Sequence, residues 1–421
     1  MAQLSDDCFA FGGALRRLDD ALADLASRLA VLARTEKVPV MVAFNRVLAE
    51  DAIARFPIPS FDNSAVDGYA VSFADLDQDT ETRLPLAQRI AAGDASRAVL
   101  KPQTAARIFT GAMMPGLADT VFMQEDVRHV EGIVVLPPGL KRGSNRRLAG
   151  EDFSIGQVIV PAGIRLKPQH LAGLAAAGLA EITVRAPLRV AIASTGNEIR
   201  EPTPESHSPT AGTQFDANRA MLAGLLAARG MVVADLGILP DDPMRISAVL
   251  RDAASQYDAV LTSGGVSTGE EDYVKAAIEA AGRLDFWRLA IKPGRPVAMG
   301  TVRGTAFLGM PGNPAAVFVT FVRFVGPVLD MLAGAMPLRP QGVWVRSGFS
   351  YRKKRDRREY IRVSLEADAK GQHVARRFPK EGAALISSLI AADGLAELAE
   401  DVTDISEGQP LLILPLATLI S

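Results

Sequence analysis

The stretch LTSGGVSTGEEDYVK, residues 261–275, combines features of an anion site with features of a cation site. A buried strand leads into a turn rich in glycine and hydroxyl groups, and three acids follow, Glu270, Glu271 and Asp272. Backbone N–H groups at such a turn favour an anion, which the acids repel, although acids also commonly begin a helix. A phosphate group that arrives with Mg²⁺ satisfies both, because hard cations bridge carboxylate and phosphate oxygens.

This turn lacks the features of the common phosphate-binding loops. It has neither the lysine and hydroxyl of GxxxxGK[ST] nor the spacing of GxGxxG. Gly264, Gly265, Ser267 and Thr268 instead form a backbone cradle that can hold one phosphate-like group. We therefore predict that main-chain donors of this turn bind a phosphate.

Three other predicted strands end in residues of similar types. Glu198 follows RVAIAS, Asp241 follows VVADLGIL, and Pro311 and Pro314 follow AFLGM in the sequence PGNP. Each strand end alone would be explained by helix caps or solvated surface. In an open parallel sheet, however, ligands bind beyond the carboxyl ends of the strands. Four such ends at one edge therefore predict a ligand site.

Cations and further acids lie outside these turns. Arg288, Lys292 and Arg295, in and beside LAIKPGRPVAMG, approach the same edge and could bind phosphate or another oxyanion, although ordinary surface charges would need no explanation. Pattern alone assigns no role to the polar residues of DNSAVDGYAV, IFTGAMMPG and SNRRLAGED, which are Asp62, Asp67, Thr110, Arg146, Arg147, Glu151 and Asp152.

The elements that must position these residues change character along the chain. Residues 186–334 alternate apolar strands with helices, which predicts a doubly wound parallel sheet covered on both faces. Residues 13–34 carry leucines at alternating three- and four-residue spacing, which predicts an amphipathic helix packed either on its own domain or at a subunit interface. Residues 85–150 and 335–421 read as β structure. Asp242 before Pro243 predicts a helix N-cap.

Composition limits the functional classes. The chain has 421 residues, enough for two to four domains, and a formal net charge of −2, which predicts no general attraction to nucleic acid or membranes. We find no signal peptide pattern and no apolar run of roughly 18 residues. The single cysteine excludes a multi-thiolate metal site. We expect a cytoplasmic protein whose metal ligands, if it uses a metal, are oxygens.

In these motifs the chain resembles the molybdopterin molybdenumtransferases, a family that also includes the E domain of gephyrin. The matching stretches follow the family's order from about residue 40 to residue 330. They are FDNSAVDGYAV, IFTGAMMP, VFMQED, GEDF, STGNE, FDANR, LGILPDDP, LTSGGVSTGEEDY, FWRLAIKPGRP and LGMPGNP.

The resemblance implies an elongated homodimer of four-domain subunits with the cleft shared between subunits, which favours an interface role for the leucine helix. The implied domains are a helical and β dimerisation domain (1–55 with 151–185), an inserted β domain (56–150), a molybdopterin-binding α/β domain (186–334) and a C-terminal β domain (335–421). The implied reaction inserts molybdate into adenylylated molybdopterin, with Mg²⁺-dependent pyrophosphate cleavage and release of AMP.

The resemblance also assigns residue roles. Asp241 and Asp272 match acids near the pyrophosphate and metal, Glu198 an active-site acid, and Lys292 a cleft lysine. The other matches are Pro311 and Pro314 at an oxyanion pocket, Ser387 or Ser388 near the metalate, and Asp67, Thr110, Arg147 and Asp152 in the part of the cleft donated by the partner subunit. Arg288 and Arg295 replace frequent lysines, which keeps the charge but changes a point donor into a planar fork.

Two alternatives belong to other classes of protein. Molybdopterin adenylyltransferases share the α/β domain and catalyse the preceding step, but the motifs before residue 186 argue against that reading. A non-catalytic molybdopterin-binding scaffold, as gephyrin is at synapses, is disfavoured because the acidic set is complete. The upstream adenylyltransferase is instead a candidate partner. The basic run YRKKRDRREY lacks interleaved aromatic residues, so we predict a strand edge or the cleft mouth rather than a nucleic-acid site.

Overall fold

The computed structural model describes residues 15–94, 98–206, 208–265, 273–279, 282–337 and 340–420. Its first elements are strand β1 (Leu15–Arg16) and helix α1 (Leu18–Arg28). Strand β1 pairs in parallel with Arg288 and Leu289 of the α/β sheet, and Leu18 and Leu25 of α1 are fully buried in the same core. The preference for a subunit interface is therefore wrong for these two leucines, because they have no exposed surface to offer a partner.

Residues 35–185 form several β sheets and one helix. The elements are β2 (Thr35–Pro39), β3 (Val47–Leu48), β4 (Ala52–Ile53), β5 (Asn63–Ser64), β6 (Gly68–Val71), β7 (Thr82–Ile90), β8 (Ala105–Ile108), β9 (Thr120–Met123), β10 (Arg128–Val130), β11 (Ile133–Leu136), β12 (Arg146–Arg147), β13 (Val158–Val160), α2 (Pro168–Ala176) and β14 (Glu181–Arg185), with 3₁₀ turns at Val40–Val42, Phe73–Asp75 and Gln124–Asp126. Strand β14 pairs with β2 and β3, and β13 with β4. The six-stranded sheet β10–β11–β7–β8–β6–β9 is thus inserted between segments that pair with each other.

Residues 189–332 form the α/β domain. Its elements are β15 (Arg189–Thr195), β16 (Ile199–Arg200), β17 (Gln214–Phe215), α3 (Asn218–Ala228), β18 (Val232–Leu239), α4 (Pro243–Gln256), β19 (Ala259–Ser263), α5 (Tyr273–Glu279), β20 (Gly282–Leu289), β21 (Ile291–Lys292), β22 (Pro296–Val302), β23 (Thr305–Met310), α6 (Pro314–Thr320), a π-helical turn (Phe321–Val325) and α7 (Gly326–Leu332). The strand order is β1–β20–β22–β23–β19–β15–β18.

This sheet is mixed rather than wholly parallel as predicted. Strands β23, β19, β15 and β18 are parallel, but β22 runs antiparallel to β20 and β23. Arg303 and Gly304, with φ of 50° and 80°, join β22 to β23. Two residues with positive φ are typical of a tight hairpin, and such a short connection permits only antiparallel pairing.

Both faces of the sheet are covered, as predicted. Val190 and Ile192 of β15 pack in the core cluster that includes α1, α3 and α7, whereas Ala191 and Ala193 pack in the cluster that includes α4. Alternate residues of a strand face opposite sides, so this division shows helices on each face.

One long apolar helical segment crosses the core. Pro314–Leu332 is long and apolar enough to cross a membrane by length and composition, but 83% of it is buried inside the protein. Val319 and Phe324, for example, have no exposed surface. A core helix of a globular domain has these same properties.

The C-terminal elements form a closed β structure. They are β24 (Val343–Ser347), β25 (Tyr351–Arg352), β26 (Arg358–Ala367), β27 (His373–Arg377), α8 (Ile386–Ile390), β28 (Gly394–Leu398), β29 (Asp404–Ile405), β30 (Pro410–Pro415) and α9 (Leu416–Ile420). The sheet order is β21–β26–β27–β24–β30–β28, and a further β26–β28 pairing closes it into a small barrel. Strand β28 was not predicted, and β21 joins this barrel from within the α/β domain.

Candidate functional site

Two cavities lie side by side where the α/β domain meets the C-terminal barrel. The first, of about 480 Å³, contains Glu198 and Asp241 and is called the carboxylate cavity. The second, of about 440 Å³, is called the cationic cavity, and its cations are Lys292, Arg295, Arg357, Arg362, Arg377 and Lys380. Asn313 lines both cavities.

The carboxylate cavity lies at the carboxyl ends of four parallel strands. Glu198 follows β15, Asp241 follows β18, Gly264 and Gly265 follow β19, and Pro314 follows β23, and all of them line it. The predicted convergence of these strand ends at one edge is therefore correct, and a cavity lies there. Asp242 caps α4 as predicted, since its Oδ1 accepts hydrogen bonds from the next two available N–H groups, those of Met244 and Arg245.

Asp241 is held by a neighbouring strand end. Its Oδ2 accepts a hydrogen bond from the N–H of Asn197 at 2.9 Å, and its own N–H donates to Asn197 Oδ1 at 3.3 Å. Within the described part of the chain, Oδ1 of Asp241 has no hydrogen-bond partner. Asp241 and Glu198 thus present carboxylate oxygens, the donors that Mg²⁺ prefers.

The other predicted metal ligand, Asp272, lies outside the described residues, together with Ser267, Thr268, Glu270 and Glu271. Among the residues that are described, no group of three or more His, Cys, Asp or Glu side chains is arranged to hold a metal ion. The described residues of this cavity therefore offer two carboxylates, those of Glu198 and Asp241, and oxygen ligands of this kind suit Mg²⁺.

Asn218 ties the walls of the carboxylate cavity together. Its Nδ2 donates to Ser263 Oγ at 2.6 Å and to the Gly312 carbonyl at 2.7 Å, so this side chain joins the start of α3 to the end of β19 and to the turn after β23. Asp216 accepts from the N–H groups of Asn218 and Arg219 and so fixes the start of α3. FDANR was recognised only as a matching motif, and this role of Asn218 was not predicted. An asparagine and an aspartate before an apolar helix indicated no more than a cap.

Three buried polar atoms of this cavity lack partners. Ser194 Oγ, Thr195 Oγ1 and Asn218 Oδ1 make no hydrogen bond to the residues that the structure describes, although all three side chains are at least nine-tenths buried. An unsatisfied buried polar atom costs roughly 1–3 kcal/mol. A polar group bound in this cavity could supply partners for these atoms.

The predicted phosphate cradle is only partly supported. The N–H of Gly264 donates to the Met310 carbonyl at 3.0 Å, so it is occupied within the sheet. Gly264 has φ of 89°, and a Cβ there would lie 2.7 Å from the Thr195 carbonyl oxygen. Its contribution is space and backbone conformation, rather than the hydrogen bond that was predicted.

A buried carboxylate organises the cationic cavity. Lys292 Nζ lies 3.2 Å from Tyr351 Oη and 3.4 Å from Glu359 Oε2. Tyr351 Oη donates to Glu359 Oε2 at 2.7 Å, and Arg357 Nε donates to Glu359 Oε1 at 2.6 Å. Burial lowers the pKa of the Lys292 amine, but Tyr351 and Glu359 outweigh that effect and hold the pKa above its ordinary value. Burial and Glu359 both raise the pKa of the Tyr351 hydroxyl.

Three of the residues predicted to bind an oxyanion line the cationic cavity, and Arg288 does not. Lys292, Arg295 and Pro311 line the cationic cavity. Arg288 lines neither cavity; it lies on β20, paired with Leu15 and Pro296, with its side chain exposed. The structure therefore places Arg288 outside both cavities.

The two candidate serines are distinguished by burial. Ser388 is fully buried, and its Oγ accepts from Arg362 Nε at 3.0 Å and donates to the Leu385 carbonyl at 2.6 Å. Ser387 is exposed and lines neither cavity. Ser388 also lines neither cavity, but it contacts Arg362, which lines the cationic cavity. Arg362, Tyr351 and Glu359 were not predicted from the sequence.

The four site residues predicted to complete the partner's cleft, which are Asp67, Thr110, Arg147 and Asp152, do not line either cavity of their own chain. Asp67 Oδ1 accepts from the Thr110 N–H at 2.8 Å and from its hydroxyl at 2.7 Å, and these bonds hold the pKa of the Asp67 carboxyl below its ordinary value. Arg147 Nε donates to Glu151 Oε1 at 2.6 Å. Asp152 is exposed. In their own chain, Asp67 bonds to Thr110 and Arg147 to Glu151, away from both cavities.

Comparisons with known proteins cover nearly the whole chain. It matches the family models for the MoeA N-terminal region (domains I and II) at residues 16–178, a probable molybdopterin binding domain at 191–331, and the MoeA C-terminal region (domain IV) at 345–416. It is 35% identical to a molybdopterin molybdenumtransferase of Haemophilus influenzae, over 96% of this chain and 99% of that protein.

A second curated relative and a solved structure agree with this match. The chain is 34% identical to a molybdopterin molybdenumtransferase of Nostoc, over 91% of this chain and 89% of that protein. A crystal structure of the molybdopterin biosynthesis MoeA protein from Pyrococcus horikoshii superposes with a TM-score of 0.80 at 30% identity, over 95% of this chain and 99% of that one.

Proposed function

Since the chain belongs to the MoeA family of molybdopterin molybdenumtransferases, we propose that it transfers molybdenum from molybdate to adenylylated molybdopterin and releases AMP. The observation that carries this proposal is the pairing of a carboxylate cavity with a cationic cavity across Asn313. The carboxylate cavity suits a nucleotide pyrophosphate with its cation, and the cationic cavity suits a free oxyanion.

The carboxylate cavity is proposed to bind the pterin nucleotide. Asp241 and Asp272 would hold Mg²⁺, which would offset the negative charge of the pyrophosphate when bound. Asn197 orients the Asp241 carboxylate toward the cavity. The unpartnered atoms of Ser194, Thr195 and Asn218 would bind polar groups of the same ligand.

The cationic cavity is proposed to bind molybdate. Six cationic side chains line it, against two carboxylates, those of Glu359 and Glu381. Cations that outnumber acids in a concave site attract a dianion and raise its local concentration. Arg295 offers a planar fork and Lys292 a point charge, so together they can contact several oxygens of a tetrahedral anion.

Phosphoryl and nucleotidyl transfer depend mainly on positioning and charge neutralisation. A molybdate oxygen is our candidate for the nucleophile that couples pyrophosphate cleavage to metal insertion. The dithiolene sulfurs that receive molybdenum belong to the pterin, so the protein needs no cluster of thiolates, in agreement with its single cysteine.

We further propose a cytoplasmic homodimer with shared clefts. Asp67, Thr110, Arg147 and Asp152 of one subunit would then complete the carboxylate cavity of the other. The hydrogen-bonded Asp67–Thr110 pair on an exposed surface supports a role outside its own chain's cavities. The enzyme that adenylylates molybdopterin would supply the substrate.

The test is an assay with purified protein, adenylylated molybdopterin, Mg²⁺ and molybdate, followed for AMP and for cofactor that activates a molybdenum-free apoenzyme. AMP and active cofactor should form together, and removal of Mg²⁺ by chelation should stop both. Adenylylation of free molybdopterin by ATP would favour the adenylyltransferase alternative. Binding of the pterin nucleotide without turnover would favour a scaffold.

A further inference from the structure

The cationic cavity contains a carboxylate that should oppose its binding of an anion. Glu359 is only 1% exposed, yet it lies among the cations that line the cavity. A negative charge in an anion site weakens anion binding by simple Coulomb repulsion. We therefore looked for a role of Glu359 other than direct contact with the anion.

Within the described residues, the hydrogen bonds and ion pairs of the Glu359 side chain join it to Lys292, Tyr351 and Arg357, which all line this cavity. Lys292 donates to Tyr351 Oη, and Tyr351 donates in turn to Glu359 Oε2, so the ammonium, the hydroxyl and the carboxylate form a directed chain of hydrogen bonds. Arg357 donates to the other carboxylate oxygen. A buried carboxylate satisfied on both oxygens fixes the positions of its donors.

The backbone reinforces this arrangement between two domains. Lys292 of β21 and Glu359 of β26 are partners in parallel strand pairing, which joins the α/β domain to the barrel. The Lys292 side chain is 46% exposed, whereas that of Glu359 is 2% exposed. An ammonium has three N–H donors. Lys292 can therefore donate to Tyr351 and Glu359 and still have one donor for a ligand in the cavity.

We propose that Glu359 is a positioning residue for the oxyanion: it anchors Lys292 and Tyr351 so that the amine faces the ligand. The inference rests on the proposed function, because it assumes that the cationic cavity binds molybdate. Replacement by Gln keeps the volume but removes the charge and turns one of the two acceptor oxygens into an NH₂ donor, so Tyr351 and Arg357 can no longer both donate to this side chain.

The pH dependence provides a readout that a purely structural role would not change. A raised pKa keeps Lys292 charged, and its contribution to binding is lost as pH rises through that pKa. Loss of the Glu359 charge lowers this pKa, so the alkaline limit of oxyanion binding should move to lower pH. The other ionisable groups that line the cavity with Lys292 are Arg295, Tyr351, Arg357, Tyr360, Arg362, Arg377, Lys380 and Glu381.

The experiment measures the affinity of the full-length protein for molybdate, and separately for tungstate, by calorimetry from pH 7 to about pH 11.5, a range that extends above the ordinary lysine pKa of 10.5. For E359Q we expect a loss of about tenfold or more in affinity, and an alkaline limit at lower pH. In turnover assays KM for molybdate should rise more than kcat falls. Y351F interrupts the same chain and should shift binding in the same direction by less.

E381Q is the matched control, because Glu381 lines the same cavity with a 66% exposed side chain. Loss of its charge should tighten molybdate binding. If E359Q also tightens binding, or leaves its pH limit unchanged, Glu359 acts only as a charge and the inference fails. If E359Q does not fold, Y351F is measured instead, and an alkaline limit unchanged from the wild type would also contradict the inference. If the wild-type protein binds neither oxyanion, the proposed function itself fails.

Discussion

Asp241 and Asn197 bind each other through reciprocal hydrogen bonds across the ends of two neighbouring parallel strands, β18 and β15. Each residue donates its main-chain N–H to the other's side chain. This clamp fixes the Asp241 carboxylate at the edge of the carboxylate cavity and directs one oxygen away from the protein contacts. The first prediction follows from this geometry.

D241N should reduce AMP release at least about 100-fold, because an amide cannot hold a divalent cation or offset the pyrophosphate charge as a carboxylate does. The fold should be retained, since the Asn oxygen still accepts from Asn197. D242N is the matched control: Asp242 is the adjacent acid but caps α4, and Asn caps helices equally well. Undiminished AMP release by D241N would remove Asp241 from the site.

G264A should destabilise the protein by about 3 kcal/mol or more, because a Cβ at 2.7 Å from the Thr195 carbonyl adds a clash to the strain of a positive φ. G212A provides the control for strain alone: Gly212 has φ of 80° with open space around its Cβ position, so about 1–2 kcal/mol is expected. Denaturant unfolding measures both. Equal losses would mean that the Thr195 contact relaxes without cost.

N313A should reduce turnover much more than it reduces the binding of either ligand alone. Asn313 occupies the N-cap position of α6 without capping it, and its side chain lines both cavities. Such a residue can contact both ligands at once. AMP release is compared with the separate affinities for molybdate and for AMP; if turnover and affinities fall in parallel, Asn313 does not couple the cavities.

T110V should raise the pKa of Asp67. The main-chain N–H of Thr110 makes the largest contribution to the lowered pKa and survives the change, but the hydroxyl bond is lost. A lowered pKa stabilises the fold above the unfolded-state pKa, and that contribution is lost as pH falls through the folded pKa. Titration of the carboxyl carbon by NMR measures the shift. No shift would show that water replaces the hydroxyl.

L25A should cost about 3 kcal/mol of folding free energy, because Leu25 is fully buried in the main core. L15A, at a position 48% exposed, should cost less than about 1 kcal/mol. Thermal unfolding and light scattering are compared for both. A change of oligomeric state without loss of monomer stability would restore the interface interpretation of the leucine helix.

Local sequence patterns determined one half of the site. Glu198, Asp241 and Gly264 each follow an apolar strand, and parallel strands deliver their carboxyl ends to one edge, so their meeting needed no knowledge of other contacts. The helix cap at Asp242 was predictable for the same reason, since a cap depends on neighbours three residues away.

The tertiary structure alone decided the other half. Tyr351 and Glu359 lie 59 and 67 positions after Lys292 in the chain. No periodicity links the short strand β21 to such distant strands. The burial of Ser388, the exposure of Ser387 and the packing of the leucine helix are likewise tertiary properties. Burial is set by which surfaces pack together, and packing between distant segments leaves no short-range pattern in a sequence.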